Sequence, residues 1–397
     1  MWRRVVMLVA NEYEPDPRVH KEAKDLRKLG YSVSVISWDR QRRRRAFETI
    51  DGIRIKRFRY LDPHGFVSYA ISGILFLLNC VGSLLADGVQ GKKTVIHCHD
   101  FNTLPVGYLL RACFKERFRL VYDSHENFPA LLQTIAPKFV ALSVKAIERR
   151  MLDNVDGLIT ANDEILRVLH PPERIVSAAV FNAPPLSITE IPSRKSLEIS
   201  ILKRKFGKDC FVLTFPGRFQ VHRGLNVVLD AAELLKDDKS RKVAFVLVGG
   251  GPLESELRRE IQRRKLSEIV SIYPHLEFAR VMRIVRSSDA IYIGYEPDDP
   301  NNHFASPHKL FEAMAMGVPV LASGYGYLGR FVRTTGCGVC LESIDGRSTV
   351  TGIRQLFDGQ LRTRCGANGI RWFKSVYNWE VMTNRLASVY KVVTSHR

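Results

Sequence analysis

The chain has 397 residues, of which 45% are hydrophobic and 25% are charged. This composition excludes an intrinsically disordered chain, permits a substantial core, and at this length favours two domains. Sixty Lys and Arg against 41 Asp and Glu give a net charge of +19, which favours polyanionic partners: nucleic acid, anionic lipid headgroups or phosphorylated substrates. The seven Cys are irregularly spaced, so we expect no disulfide framework and a cytoplasmic location.

The first half alternates short apolar runs with amphipathic segments, which is typical of a doubly wound α/β sheet. The predicted strands are Val5–Ala10, Ser32–Ser37, Ile53–Phe58, Thr94–His97, Leu120–Tyr122 and Gly157–Thr160. The predicted helices are Pro17–Leu29, Thr103–Phe114 and Phe139–Asn154. Ligands of open α/β sheets bind at the carboxyl ends of the strands, so the loops there are the first candidates for a site.

Two loops of this half carry arginines. Arg40–Arg45 contains five of them, and it is either an anion-binding loop or a solvated loop of a basic protein. The loop Glu12–Val19 follows the first strand and includes Asp16-Pro17-Arg18. Either Arg18 holds a phosphate of a ligand, or Asp16 simply caps the next helix.

The segment Phe66–Leu85 is uncharged and long enough to cross a membrane. Crossing would place the strands Val5–Ala10 and Thr94–His97 on opposite sides, although both look like members of one sheet. A buried helix is therefore the preferred prediction. A helix that lies with its apolar face in the membrane surface is the main alternative, given the basic charge nearby.

Two later loops carry histidines. In His97-Cys98-His99-Asp100, both His side chains lie on one face of a strand, which makes a metal conceivable, but no third ligand is evident in the sequence nearby. The second loop, Asp123–Asn127, contains His125 and Glu126. Histidines at two strand ends that point into one cleft favour a role at a substrate, although a lone His is more often structural.

A Pro-rich stretch, Asn182–Leu186 followed by Pro192–Arg194, predicts a linker. We therefore predict an N-terminal domain over 1–183, a linker over 184–196, a C-terminal domain over 197–375 and a terminal helical segment over 376–397. The strands predicted after the linker are Phe211–Phe215, Val243–Val248, Val270–Ile272, Ala290–Gly294 and Val318–Ala322. Cys337-Gly-Val-Cys340 is interpreted as a Gly-rich turn entering a strand rather than as a zinc or redox site.

The loop after Phe211–Phe215 contains Arg218 and Arg223, which are close enough in sequence to reach a shared anion. Two cations over a diphosphate would neutralise charge on a leaving group. Gly249-Gly250-Gly251-Pro252 follows the next strand, and its small residues would let backbone approach a ligand. Both loops also fit an ordinary strand-to-helix connection.

The segment Ser306–Ser323 is the most informative. Ser306 is predicted to cap a helix that starts at Pro307 and stops at Gly317 before a buried strand. The amides and partial positive charge of a helix N-terminus suit a diphosphate. Glu312 lies one turn in, where its carboxylate can accept hydrogen bonds from two ribose hydroxyls, although an ordinary capped helix is the alternative.

This segment, Ser306-Pro307-His308-Lys309-Leu310-Phe311-Glu312 followed by Met314-Ala-Met-Gly-Val-Pro-Val320, resembles the nucleotide-sugar-binding motif of the retaining GT-B glycosyltransferases of family four. The likeness covers both halves, the linker and the terminal helix. It implies two Rossmann-like α/β domains that face a central cleft, with the terminal helix returning to the N-terminal domain.

The resemblance also implies partners. The donor is a UDP- or GDP-sugar, and the acceptor is a glycan or a lipid-linked molecule of cell-surface polysaccharide or glycolipid synthesis. An anionic membrane surface is a further expected partner, with the protein peripheral on the inner face of the plasma membrane. Neither a metal nor another cofactor is expected, because fixed cations replace the metal, and nucleic acid is not an expected partner because no recognition module is evident.

Individual residues receive roles from the same resemblance. The catalytic candidates are His125 beside the sugar, Arg218 and Arg223 at the leaving diphosphate, and Glu312 at the ribose. The donor-binding candidates are Gly217, Gly250, Gly251, Ser306, Pro307, Lys309 and Leu310. The acceptor-side candidates are Arg18, His99, Asp100 and Glu126.

The chain departs from the family pattern at two positions. Phe304 stands where the family usually has an acid that contacts the sugar, and Arg223 stands where it has a Lys. Phe304 leaves the bound sugar open and motivates a non-catalytic binding protein as an alternative. A sugar-nucleotide epimerase of the same fold is another alternative, and the charge of +19 keeps nucleic-acid binding as a third.

Overall fold

The computed structural model describes residues 2–14, 16–60, 66–88, 93–191, 197–238 and 240–395. The chain divides into two compact units, which we call unit 1 (Met1–Phe181 with Met382–Arg397) and unit 2 (Asn182–Val381). Of the predicted linker, Leu186–Glu190 forms a 3-10 turn, whereas Pro192–Arg194 lies outside the described residues.

Unit 1 is built on a sheet that has eight strands in the described part of the chain. They are β1 (Arg4–Val9), β2 (Ser32–Trp38), β3 (Phe47–Ile50), β4 (Ile53–Phe58), β5 (Thr94–His99), β6 (Phe118–Ser124), β7 (Gly157–Thr160) and β8 (Val176–Ala179). Their order is β3-β4-β2-β1-β5-β6-β7-β8, and the neighbours pair in parallel except for β3 with β4. The central strands are buried along their length, as expected when helices cover both faces.

The helices of unit 1 are α1 (Pro17–Lys28), α2 (Phe66–Gly88), α3 (Leu104–Cys113), α4 (Phe128–Leu132), α5 (Lys138–Met151) and α6 (Asp163–Leu169). The three helices predicted here form within two residues of the expected bounds, except that the last turn of α5 tightens into a 3-10 turn at Leu152–Asn154. Strands β3 and β8 were not predicted, because both are short edge strands with half-exposed residues and weak apolar patterns.

The prediction of a buried helix at Phe66–Leu85 is right for one face only. Phe76, Cys80 and Leu84 of α2 are buried in the core of unit 1. The side chains of Ile71, Ile74, Leu75 and Leu78, in contrast, are 42–61% exposed. Among the described residues, we find no helix with both the length and the apolarity needed to cross a membrane.

Unit 2 contains a second parallel sheet, with six strands in the described residues and the order β11-β10-β9-β12-β13-β14. The strands are β9 (Phe211–Pro216), β10 (Val243–Val248), β11 (Val270–Tyr273), β12 (Ala290–Ile293), β13 (Val320–Ser323) and β14 (Gly338–Leu341). The helices are α7 (Leu197–Phe206), α8 (Leu225–Leu235), α9 (Glu254–Arg263), α10 (Phe278–Ser287), α11 (His308–Met316), α12 (Gly326–Thr335), α13 (Gly346–Gln355) and α14 (Gly359–Ser375). The predicted class of two parallel-sheet α/β domains is confirmed.

A last helix, α15 (Trp379–Ser395), belongs to unit 1 from Met382 onward. Thr383 donates a hydrogen bond to Asp25, and the Tyr390 hydroxyl is 2.9 Å from His97 Nδ1. Tyr390 is fully buried. The end of the chain is therefore part of the core of unit 1.

Candidate functional site

In unit 2, the loops after β9 and β10 enclose a cavity of about 560 Å³. Its residues come from these two loops, from the segment before and within α10, and from α11: Pro216, Gly217, Arg218, Val248, Gly249, Gly250, Gly251, His275, Leu276, Phe278, Val281, Met282 and Glu312. One wall is backbone and glycine, and another is apolar. Such a combination suits a ligand with a flat ring at one end and polar groups at the other.

The glycines of the second loop are required by the backbone. Gly249 has φ +141°, and a Cβ there would lie 2.0 Å from the Gly217 carbonyl oxygen. Gly251 has φ +154°, and its Cβ would lie 2.4 Å from the Phe219 carbonyl oxygen. No other residue type tolerates this geometry, so the two loops approach each other at backbone distance and bring the predicted Gly217, Gly250 and Gly251 to one wall of the cavity.

Lys309 lies beside this wall without a carboxylate partner among the described residues. Its ammonium is 3.5 Å from the centre of the Phe215 ring, and a Cβ on Gly217 would meet it at 3.2 Å. Burial, and after it the positive charge of Arg223, lower the pKa of Lys309 to about 7, although Glu312 partly opposes them. An anion bound at Gly217 would restore the charge of this ammonium.

The two arginines of the first loop do not lie together in the way that the sequence predicts. Arg218 is exposed and lines the cavity, whereas Arg223 does not line it. Arg223 Nη1 donates to Asn302 Oδ1 at 2.6 Å, and its guanidinium lies over the Tyr295 ring at 4.2 Å. Of the two arginines expected to hold one anion, only Arg218 lines the cavity, and the ammonium of Lys309 lies beside it at Gly217.

The start of α11 differs from the prediction by one residue. Pro307 is extended at ψ 148°, so the helix begins at His308 and Ser306 lies outside the cap position. The Leu310 side chain is fully buried, and its amide donates to the Pro307 carbonyl at 3.0 Å. Glu312 does line the cavity. Gly317 ends the helix in the left-handed region, as predicted.

Phe304 ends a 3-10 turn, Pro300–Phe304, whose central residue is Asn302. Asn302 is buried and donates to the carbonyl oxygens of His222 and Glu296 while it accepts from Arg223. This amide holds the loop that carries Phe304 against the loop that carries Arg223. Asn302 was missed in the sequence, because a single amide in a polar loop has no pattern that marks it.

In unit 1, the residues at the carboxyl ends of β5 and β6 form a charge network around Asp123. Arg18 donates to both Asp123 oxygens, at 3.1 and 2.6 Å, and to the Val180 carbonyl at 2.5 Å. Arg18 is only 3% exposed. This guanidinium is therefore committed within the fold, and the prediction that it holds a phosphate is not supported by its surroundings.

The alternative for this loop is confirmed. The Asp16 carboxylate accepts from the amides of Arg18 and Val19 and caps α1, which starts at Pro17. Arg18 and Glu22, one turn apart, form a second buried ion pair at 3.2 Å.

His125 is the charged and partly exposed member of the network. Its Nε2 lies 3.0 Å from Asp123 Oδ2, and its Nδ1 lies 3.5 Å from Asp100 Oδ2. Burial alone would lower the pKa of His125, but Asp100 and Asp123 outweigh it and raise the pKa to about 10. His125 is thus an imidazolium at neutral pH, able to donate a hydrogen bond or stabilise negative charge but unable to act as a base.

His99 and Asp100 are both next to His125. His99 Nδ1 is 3.0 Å from His125 Nε2, and the Asp100 carboxylate accepts from the His125 amide at 2.9 Å. Burial lowers the pKa of His99, so this ring is neutral. Of the acceptor-side candidates, Asp100 and Glu126 keep exposed side-chain surface, whereas His99 is buried.

The third and fourth metal-ligand candidates that the sequence did not reveal are Glu22 and Asp123. Their oxygens and the ring nitrogens of His97 and His99 lie within 4.8 Å of one another. However, the Arg18 guanidinium already pairs with both carboxylates. Because a fixed cation occupies the place that a metal would take, this geometry favours an internal ion network over a metal centre.

Cys337 and Cys340 do not join a ligand cluster within the described residues. Cys337 is buried, and burial raises the pKa of its thiol to about 12. Cys340 lies in β14 and donates to the Gly329 carbonyl. The interpretation of this segment as a turn entering a strand is confirmed.

Comparison with known proteins identifies two matching families along the chain. Residues 198–372 match the family described as Glycosyl transferases group 1, and residues 18–176 match Glycosyltransferase Family 4. The two matches fall on unit 2 and unit 1, respectively.

Individual relatives are distant over long alignments and similar over short ones. The chain is 24% identical over 318 residues to a D-inositol 3-phosphate glycosyltransferase from Corynebacterium efficiens, covering 76% of this chain and 72% of the relative. It is 52% identical to the O-antigen chain mannosyltransferase C of Escherichia coli, but over only 56 residues, 14% of each chain.

Among solved structures, Anabaena Alr3699/HepE in complex with UDP is similar with a TM-score of 0.68 at 15% identity, over 98% of this chain and 99% of that one. At this identity the similarity establishes the fold. With the two parallel sheets, it confirms the predicted class, GT-B with Rossmann-like domains.

Proposed function

Because this chain belongs to the glycosyl transferases group 1 and is a glycosyltransferase, we propose that it moves a sugar from a UDP- or GDP-sugar to a glycan or lipid-linked acceptor, with retention of the anomeric configuration. The observation that carries the donor part is the cavity of unit 2, which Arg218, Glu312 and four glycines line, with Lys309 beside Gly217.

The proposed donor orientation follows the chemistry of that cavity. The diphosphate lies against Gly217 and Gly250, where backbone can approach, with Arg218 and Lys309 as its cations. Glu312 accepts hydrogen bonds from the ribose hydroxyls. The base lies toward the apolar wall formed by Leu276 and Met282.

The proposed reaction releases the nucleoside diphosphate while the acceptor hydroxyl oxygen bonds to the anomeric carbon on the same face and its proton passes to the departing phosphate oxygen. Charge grows on the leaving oxygens as the glycosidic bond breaks, and fixed cations stabilise it without reorganisation. Arg218 and Lys309 supply these cations in the proposal, so no metal is needed. His125, as an imidazolium, is assigned to a sugar or acceptor oxygen.

The acceptor and the cellular setting are part of the same proposal. The UDP complex of HepE supports a nucleotide donor, and the O-antigen relative supports a role in polysaccharide synthesis. The D-inositol 3-phosphate relative instead supports a small phosphorylated acceptor. The exposed apolar side chains of α2 and the net charge of +19 support a peripheral position at the inner face of the plasma membrane.

The test is the thermal unfolding of the purified protein with UDP, GDP and ADP and their common sugars, beside Glu312→Gln. Stabilisation by one nucleotide that shrinks in the variant supports the donor site and identifies the base. If no nucleotide shifts the midpoint, the proposal is wrong, and a non-catalytic protein becomes the better reading. If a sugar nucleotide binds and is converted without an acceptor, the product identifies an epimerase.

A further inference from the structure

A second cavity, of about 220 Å³, lies in unit 1 at the carboxyl ends of its strands. Trp38 ends β2, Ala10 follows β1, Phe101 follows β5 and Phe128 follows β6, while α2 closes the remaining side. The rings of Phe101 and Phe128 stack at 5.1 Å. Apart from Asn102, the lining is apolar and aromatic, unlike the charge network around Asp123 in the same unit.

The cavity continues onto the exposed face of α2. Gly73, Ile74 and Leu77 line the cavity, and Ile74 belongs to the exposed apolar row Ile71, Ile74, Leu75 and Leu78. These positions repeat with helical spacing, so they form one stripe. The helix itself is fixed, because Phe76 stacks on Trp38 at 5.7 Å and Tyr60 bonds to the Leu75 carbonyl.

A basic loop borders the same cavity. The Arg40 guanidinium lies over Trp38 at 4.6 Å and donates to the Ala10 carbonyl, so it contacts two of the lining residues. The buried carboxylate of Asp39 accepts from the amides of Arg43 and Arg44 and fixes the loop.

The charge of that loop is only partly neutralised. Arg44 pairs with Glu14, whereas the side chains of Arg42, Arg43 and Arg45 are exposed. Positive charge beside an apolar cavity complements a molecule with a hydrocarbon part and an anionic part.

The acceptor-side residues are close to this cavity along the chain. Phe101 follows Asp100 directly, and Phe128 comes two residues after Glu126. Asp100 and His125 are joined by the hydrogen bond from the His125 amide. A molecule seated on Phe101 and Phe128 would therefore place its polar end near these two residues.

We infer that this cavity binds the hydrocarbon chain of a lipid-phosphate acceptor, with the phosphate at the Arg40–Arg45 loop. This inference rests on the proposed function and narrows its acceptor from a glycan or lipid-linked molecule to a sugar carried on an isoprenyl or alkyl phosphate, whose sugar hydroxyl is the group that reacts. The chain enters beside Gly73 and continues along Ile71, Ile74, Leu75 and Leu78. The occupant is the acceptor molecule and not the bilayer as a whole.

Gly73 gives a clean test. A Cβ built on Gly73 meets no atom within 4 Å, and the same holds for Gly82, half a helical turn away in projection on the same helix. Gly73 lines the cavity and Gly82 does not. Gly73→Leu therefore fills the cavity mouth, and Gly82→Leu is a matched control with the same gain in helix propensity.

The probes are alkyl phosphates from butyl to decyl below their micelle concentrations, with inorganic phosphate as the chain-free reference, measured by titration calorimetry. We expect wild-type affinity to rise by about fourfold per added methylene until the cavity is full. Gly73→Leu should weaken decyl phosphate at least tenfold, Gly73→Ala should weaken it less, and Gly82→Leu should match wild type. The double variant Arg43→Ala/Arg45→Ala should weaken every chain length by a similar factor.

Several results overturn the inference. These are an affinity independent of chain length, or equal binding by the two leucine variants when circular dichroism shows both folded. Decyl phosphate binding that follows binding to phosphatidylglycerol vesicles in every variant would instead identify a membrane surface. Nucleotide binding measured in parallel separates the two proposals: a nucleotide shift without alkyl phosphate binding sinks only this inference, and the reverse sinks only the proposed donor reaction.

Discussion

Both sheets have cations at the carboxyl ends of their strands. In the described residues, these cations pair with carboxylates in unit 1 but not in unit 2. In unit 1, Arg18 and His125 each contact buried or half-buried carboxylates within about 3.5 Å. In unit 2, Arg218 and Lys309 have no ion-pair partner among the described residues, and Lys309 rests on the ring of Phe215. Buried charge that is already paired, as in Arg18, stabilises the fold, whereas unpaired charge beside a cavity is available to a ligand.

The largest effect should come from removing a carboxylate that pairs with the cations of unit 1. Asp123→Asn removes the carboxylate shared by Arg18, His125 and His99, all of which are buried or nearly so. Leaving buried cations without their counter-charge typically costs about 3–5 kcal/mol of unfolding free energy. Urea unfolding measures this loss. Asp51→Asn, which removes an exposed ion pair with Lys24, should leave the midpoint almost unchanged.

If Asp123→Asn and Asp51→Asn unfold alike, the Asp123 network is not what holds this edge of unit 1. The conclusion that the paired charges at the carboxyl ends of the unit 1 strands stabilise the fold would then be wrong.

Removing an unpaired cation of unit 2 should leave the fold intact and reduce turnover. Arg218 is exposed and has no hydrogen bond or ion pair to another of the described residues, so Arg218→Ala should unfold like wild type. Loss of one electrostatic contact to the departing charge typically lowers kcat by about 10²–10³-fold. The measurement is release of the nucleoside diphosphate, with Arg259→Ala on the exposed face of α9 as the matched control. Equal turnover in the two variants would contradict a catalytic role for Arg218.

The sequence predicts one side of this comparison better than the other. Strand-to-helix periodicity places Arg218, Glu312 and the glycines at one edge correctly, because local patterns decide where each strand ends. The identity of the paired groups is a different matter. Arg18 meets Asp123 at a separation of 105 residues, and only the folded sheet order brings them together.

The same limit explains the misplacements in unit 2. Arg223 is five positions from Arg218, yet its guanidinium contacts Asn302 and Tyr295 and does not line the cavity. In unit 1, Ile71, Ile74, Leu75 and Leu78 of α2 are exposed although all four are apolar. Burial depends on what packs against a helix, and composition alone does not contain that information.

The titration of Lys309 sharpens the comparison. Because its pKa is lowered to about 7 in the free protein, Lys309 is mostly neutral above pH 7, and binding of a diphosphate must then be accompanied by proton uptake. Below pH 7 the ammonium is already formed. We therefore expect nucleotide affinity to fall by up to about tenfold per pH unit as pH rises above 7.

Calorimetry of UDP binding in buffers of different ionisation enthalpy counts that proton directly. Lys309→Met should remove both the pH dependence and the proton uptake while weakening binding at pH 6. Arg223 and Glu312 are the charged neighbours of this ammonium, and a slope that survives in Lys309→Met would move the titration to another group.

The smallest expected effect concerns Asp16, and it tests whether this residue is part of the charge network or only caps α1. Asp16 accepts from the amides of Arg18 and Val19, and loss of such a cap costs about 1 kcal/mol. Burial would raise the pKa of Asp16, but the charge of His125 and the amide of Val19 lower it, so the carboxylate also faces the network. Asp16→Asn keeps the capping oxygen and removes only the charge. If capping dominates, urea unfolding should show the full loss in Asp16→Ala and little in Asp16→Asn. Equal losses would mean that the charge itself stabilises His125. The charge network around Asp123 would then include the first turn of α1.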